Sequence, residues 1–186
     1  TKKGKLDTHI FVIWVDNEAG VLARVVGLFS GRGYNIESLA VAEVDATKNI
    51  SRITIVTTGT PQVIDQIKLQ LKKLVPVHKV ADFKREDKKV IFKEMALLKV
   101  IGKKKKIEKC LKACKSYNPV ILDKTKLSVV IQITALRREI DKMSKKLKPL
   151  GLVSTSRTGA IAMTRGSEVF KYCLLYTSDA ADDNAG

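Results

Sequence analysis

Apolar and polar positions along the chain alternate between strand-like and helix-like periods, and each change of period marks a new element. From His9 to Val15 the residues are apolar and rich in β-branched types, which predicts a buried strand ended by the turn chemistry of Asp16, Asn17 and Glu18. Val21, Leu22, Val25, Val26, Leu28 and Phe29 then fall on one helical stripe, and Gly33 supplies a left-handed stop. Tyr34 to Val44 and Ile50 to Thr58 read as two strands joined by a polar turn. Thr60 caps a second helix with Pro61 in its first turn, which carries Val63, Ile64, Ile67, Leu71 and Leu74 inward. Val75 to Phe83 closes the set as a fourth strand. The order strand, helix, strand, strand, helix, strand is the ferredoxin-like arrangement.

After the apolar-free hexamer Lys84 to Lys89 the pattern restarts. Val90 to Ile101 is strand-like, and a helix from Lys103 to Lys115 buries Ile107, Cys110, Leu111 and Cys114. Val120 to Leu122 is a short strand. Leu127, Val129, Ile131 and Ile133 alternate with mostly polar neighbours, and Leu136, Ile140, Met143 and Leu147 form an amphipathic helix ending at Pro149 and Gly151. Leu152 to Thr164 completes a second βαββαβ. The expected fold class is α+β, with two ferredoxin-like domains in tandem: 7–83, a charged linker 84–89, and 90–169. Residues 170–186 have no helix or strand period and resemble translated adapter or vector sequence, so they are set aside from the fold.

Composition narrows the class. In 186 residues with 45% apolar content, no stretch approaches the roughly eighteen apolar residues of a membrane span, so a soluble chain is expected. Cys110, Cys114 and Cys173 form an odd, sparse set that suits a reducing compartment. A cytoplasmic location follows, or an organellar one if a leader precedes Thr1. The formal charge of +16 can attract phosphate, anionic lipid or an acidic partner, yet aromatic residues are only 5% of the chain, and a solvated lysine surface is the bland reading.

The segment from Asp16 to Leu39 holds the candidate chemistry. Unpaired N–H groups where a helix opens near Gly20, Val21 and Leu22 sit at the positive end of its dipole and suit a carboxylate. Gly20 lets a ligand approach that backbone. Asn17 either caps the helix or donates to the ligand, and Asn35 offers an amide that both donates and accepts. An apolar ligand side chain would then lie against Ile36, Leu39 and Ala42.

This segment, NEAGVLARVVGLFSGRGYNIESLAVA, together with SRITIVTTG from Ser51 and QIKLQLKKLVPVHKV from Gln66, resembles the ACT domain of acetolactate synthase small subunits. FKEMALLKV from Phe92 and STSRTGAIAMTRG from Ser154 are similar to strands of that family's second domain. The resemblance implies a non-catalytic regulatory subunit that pairs through its ACT domains, docks on a catalytic subunit to raise its activity, and confers feedback inhibition by valine in branched-chain amino-acid biosynthesis. It implies effector contacts at Asn17, Gly20, Val21, Leu22, Asn35 and Ile36. Ala23, where related sequences often carry serine, and Ala42 would tune sensitivity. Thiamine diphosphate, flavin and magnesium would belong to the catalytic subunit, so no cofactor and no metal are expected on this chain.

Other features have plainer readings. Gly27 suggests close packing against the sheet or a partner helix, and Trp14 suggests a packed strand, with a dimer face as a further option. Cys110 and Cys114 share the apolar face of one helix, with only His9 and His78 to complete a metal site, so core packing is favoured over zinc. No phosphate loop or nucleophile motif is present. Tandem RNA-recognition folds would need aromatics on two central strands, where Tyr34 and Phe92 are isolated, so no nucleic-acid partner is expected. A fused enzyme would need catalytic motifs that the second half lacks.

Overall fold

The computed structural model describes residues 5–167. The first half runs β1 (Asp7–Asp16), α1 (Val21–Gly31), β2 (Ser38–Asp45), β3 (Ile50–Gly59), α2 (Pro61–Lys72) and β4 (Val77–Lys84). The second runs β5 (Val90–Ile101), α3 (Lys104–Cys114), β6 (Val120–Lys124), β7 (Ser128–Ala135), α4 (Arg137–Leu147), β8 (Leu152–Arg157) and β9 (Ile161–Thr164). The pattern βαββαβ therefore occurs twice. The strands order as β2-β3-β1-β4 and as β6-β7-β5-β8, with β9 also pairing β5. Among the described residues, one compact unit comprises 5–91 with 162–167 and the other 92–161. Residues 85–89 are turns between β4 and β5.

In the first unit, Phe11, Ile13 and Val15 of β1 meet Ile53 and Ile55 of β3 beneath Val21, Val25 and Phe29 of α1 and Ile64, Ile67 and Leu71 of α2. Phe11 and Phe29 touch edge to face, with ring centroids 6.4 Å apart. Ile10, Val12 and Trp14 on the other face of β1 are buried as well, which is why the run from His9 to Val15 is continuous rather than alternating. Trp14 is a packed residue, and the Arg52 guanidinium lies 5.4 Å from its ring. The Thr60 hydroxyl accepts from the Val63 N–H at 3.4 Å, with Pro61 in the first turn of α2.

Four expectations are corrected. The second strand begins at Ser38, not Tyr34: Gly33 takes φ +70, and the Tyr34 N–H folds back on the Phe29 carbonyl at 2.9 Å, leaving 34–36 irregular. The fourth begins at Val77, since the Val77 N–H is held in a turn by the Leu74 carbonyl and Val75 is exposed. Leu22 faces outward, because an apolar set covering both Val21 and Leu22 is wider than the face the sheet can cover. The stretch from Leu152 to Thr164 is two strands, interrupted where Gly159 takes φ +84.

The second unit repeats the packing with Leu98 and Val100 of β5 and Ile131 and Ile133 of β7 beneath Ile107, Cys110 and Cys114 of α3 and Ile140, Met143 and Leu147 of α4. Burial pushes the Cys114 thiol up to about 11, consistent with packed, unreactive cysteines. An ionic fork adds direction. Glu94 on β5 is 1% exposed and accepts from Arg157 Nε at 2.8 Å and Nη2 at 2.9 Å, while Nη1 donates to Asp141 on α4 at 2.5 Å. These bonds, Glu94 foremost, push the guanidinium pKa up against the opposing effect of burial. Arg157→Met should cost about 3 kcal/mol by leaving the buried Glu94 carboxylate with only Arg137, 3.9 Å away, and Glu94→Met with Arg157→Met should recover more than half of that in urea unfolding. Equal losses in the single and double variants would show that charge pairing is not what the fork contributes.

Candidate functional site

β1 ends at Asp16, and the turn that follows is tied down from two sides. The Asp16 N–H donates to the Pro76 carbonyl at 2.9 Å and the Asn17 N–H to the Asn49 carbonyl at 2.7 Å. The Asp16 carboxylate also meets the His78 ring at 2.5 Å. The chain then turns at Gly20, whose φ of +84 is open to glycine and strained for other residues.

Gly20 is itself the cap residue of α1 and provides no side-chain cap, and no acidic side chain stands in the first turn. Asn17 does not cap the helix. Its amide donates to Glu43 Oε1 on β2 at 3.2 Å, so Glu43 is a polar neighbour that sequence reading missed. The Val21 N–H bonds the Glu18 carbonyl and the Arg24 N–H the Gly20 carbonyl, at 3.3 and 3.0 Å. The N–H groups of Leu22 and Ala23 find no acceptor among the described residues, which leaves an exposed pair of donors at the positive helix end. Ala42, beside Glu43, belongs to this end of the unit.

Asn35 and Ile36 do not. The Asn35 carbonyl accepts from the Thr57 hydroxyl at 2.7 Å, and Thr57 stands opposite His9 at the far end of β1. Ten residue steps of α1 separate Val21 from Gly31, about 15 Å at 1.5 Å per residue. From His9 to Asp16 along β1 is about 23 Å at 3.3 Å per residue. Asn35 is exposed, whereas Ile36 and Leu39 lean on the domain core. One chain therefore gathers Asn17, Gly20, Val21, Leu22, Ala23 and Ala42 at one end and holds Asn35 and Ile36 at the other.

Comparisons with known proteins place the chain in a family. Residues 11–79 match the family model described as an AHAS small subunit-like ACT domain, and residues 93–166 match the small subunit of acetolactate synthase. The acetolactate synthase small subunit of Aquifex aeolicus is 36% identical over 88% of this chain and 84% of its own length. This chain belongs to the acetolactate synthase small-subunit family. The small subunit from Buchnera aphidicola is 37% identical over 83% of this chain and 96% of its own. The crystal structure of the Thermotoga maritima small subunit superposes with a TM-score of 0.76 at 32% identity, covering 87% of this chain and 99% of that one. The family's chains are small subunits, so this one is a non-catalytic subunit with an ACT regulatory domain.

Among the described residues no group of three or more His, Cys, Asp or Glu is placed to hold a metal, and no helix is long and apolar enough to cross a membrane. Gly27 corrects one expectation. It is exposed, and a Cβ built there meets nothing within 4 Å, so the sheet is not what it packs against. The second unit holds a cavity of about 300 Å³ to which sequence reading gave no role, lined by Lys93, Tyr117, Thr134 and Glu139 among others. The Tyr117 hydroxyl donates to Glu139 at 2.7 Å, a bond that holds the carboxyl low and pushes the phenol up.

Gly20→Ala should lower the chain's stability by about 1–2 kcal/mol in urea unfolding, the cost of forcing a side chain into the left-handed region. An unchanged midpoint would mean that the turn before α1 relaxes freely and does not hold its donors in place.

Proposed function

We propose that this chain docks on an acetolactate synthase catalytic subunit, raises its activity, and imposes feedback inhibition by valine bound between the ACT domains of two copies. The observation that carries the reading is the separation of the site residues. An amino acid is only a few ångströms from carboxylate to ammonium, so Gly20 to Leu22 and Asn35 of a single chain, about 15 Å or more apart, cannot both hold one. A two-fold partner with its α1 antiparallel brings the donors of one copy to Asn35 of the other and forms two equivalent sites.

The exposed surface supports that pairing. β2 is an edge strand with Val41 and Val44 about half exposed, a surface that a second β2 would extend. Gly20, Ala23 and Gly27 lie along the outward side of α1, and small residues let a neighbouring helix come close. In this site the helix-end donors take the valine carboxylate and the Asn35 carbonyl-type oxygen takes its ammonium. Valine shifts the partner's activity only through tighter binding to the inhibited arrangement.

The test mixes the chain with its catalytic subunit and follows acetolactate formation with and without valine. Asn35→Ala and Gly20→Asp should each weaken valine inhibition at least about tenfold, the loss of one charge-assisted hydrogen bond or more. Co-expression of the two variants discriminates further: mixed dimers regain one intact site of two if the site is shared, and none if it lies within a chain. Calorimetry that finds no binding of valine, leucine or isoleucine at millimolar concentration would overturn the sensor.

A further inference from the structure

The net charge is not spread evenly. Residues 92–161 carry eighteen Lys and Arg against five Asp and Glu, so this unit alone accounts for +13 of the chain's +16. Within it, α3 and α4 are equivalent helices offset by thirty-three residues: Ile107, Cys110 and Cys114 bury on α3 where Ile140, Met143 and Leu147 bury on α4. The same offset relates their outer faces. Lys105, Lys109, Lys112 and Lys115 are all exposed, at i, i+4, i+7 and i+10. Arg138, Lys142, Lys145 and Lys148 repeat that spacing on α4 and its following turn, and all four are exposed. Each row runs along one side of its helix for about 15 Å.

These rows are costly to the fold that carries them. Like charges at i+3 and i+4 repel, and the first turn of α3 sets Lys104, Lys105 and Lys106 at the positive helix end with no side-chain cap. Local compensation is slight. Glu139 lies 3.8 Å from Arg138 and 3.5 Å from Lys142, but no carboxylate comes within salt-bridge distance of Lys105, Lys109, Lys112 or Lys115 among the described residues. Six of the eight cations therefore have no carboxylate at salt-bridge distance among the described residues, and their mutual repulsion is left uncompensated within the chain.

We propose that the outer layer of α3 and α4 is an electrostatic docking surface for an acidic face of the catalytic subunit, capturing it through these two rows. The inference rests on the reading that the chain associates with that subunit, and adds where and by what chemistry. A protein face fits better than nucleic acid: seven of the eight cations are lysine, which binds as a point charge, and no exposed aromatic ring interleaves them to stack on bases. Surface cations of this kind act chiefly on the rate of encounter.

The experiment measures association of the full chain with purified catalytic subunit at 50 and 500 mM KCl. The wild-type on-rate should fall at least about tenfold between the two, as steered encounters do. Lys105→Glu, Lys109→Glu and Lys112→Glu together should lower the on-rate at 50 mM at least about tenfold, with the off-rate within about threefold. Lys72→Glu, Lys73→Glu and Lys88→Glu, an equal charge change in the other unit, should change it less than about threefold. Glutamine at Lys105, Lys109 and Lys112 serves as a second set if the glutamates unfold the helix. Matching rates for the α3 and control sets would overturn the proposal while leaving the regulatory reading standing. No association of the wild type at either salt would remove both. Tight duplex or RNA binding, lost in the α3 set while subunit association is kept, would overturn it in favour of a nucleic-acid partner.

Discussion

Each half of this chain is governed by one constraint: a sheet, four-stranded in the first half and five-stranded in the second, buries a face beneath two helices, and both helices must present a narrow apolar stripe to it. In the first unit the central strands β1 and β3 are buried along almost their whole length. That packing fixes α1 across the sheet, and the rest of the site follows from where its two ends fall. The donors at Leu22 and Ala23 stand over one end of β1, held by the bonds from Asp16 and Asn17, while Asn35 stands over the other. The same constraint in the second unit leaves the outward sides of α3 and α4 free of packing duty, and there the sequence places lysine.

The two units thus use one architecture for different surfaces. In the first, small residues and an open edge strand leave a face that can meet its own copy closely. In the second, the buried positions of α3 and α4 correspond one to one, yet Lys105 to Lys115 and Arg138 to Lys148 make the outside repulsive to another copy of itself. Like-charged faces resist self-association, so the proposed homodimer through the first unit and the proposed acidic partner at the second would be compatible demands on one chain.

Much of this was legible in the sequence, for reasons tied to particular residues. The continuous run from His9, the Thr60 cap and the alternation around Ile131 carry period and chemistry strong enough to place their elements. Three things were not legible. A glycine cap is chosen for its backbone angle, so the side-chain preferences that pointed to Asn17 could not reveal that Gly20 ends the turn and Asn17 reaches Glu43. The break at Gly159 is a single left-handed residue between the polar run Ser154 to Thr158 and the apolar Ala160 to Met163, and a backbone angle leaves no mark on the hydrophobic period. Leu22 was drawn into the stripe because hydrophobicity alone cannot tell an inward face from an exposed patch. One missed conclusion did have a signal. An eleven-residue helix between Gly20 and Asn35 already forbids both from holding one small ligand in a single chain.

That separation bears on how such a sensor can work. If each site takes its two halves from different copies, valine binds the dimer and not the lone chain, and linkage requires that it stabilise the dimer by RT ln(1 + [valine]/Kd) per site. A hundredfold excess over Kd then adds about 2.7 kcal/mol per site to the pairing. An effector seated across the two-fold axis can bias how the two ACT domains are arranged, which a pocket buried within one domain could do only by deforming a packed core. Under the proposed reading the exposed donors of α1 therefore fit a regulatory subunit better than an enclosed pocket would: an interface that recognised the amino acid would be the one whose rearrangement carries the signal.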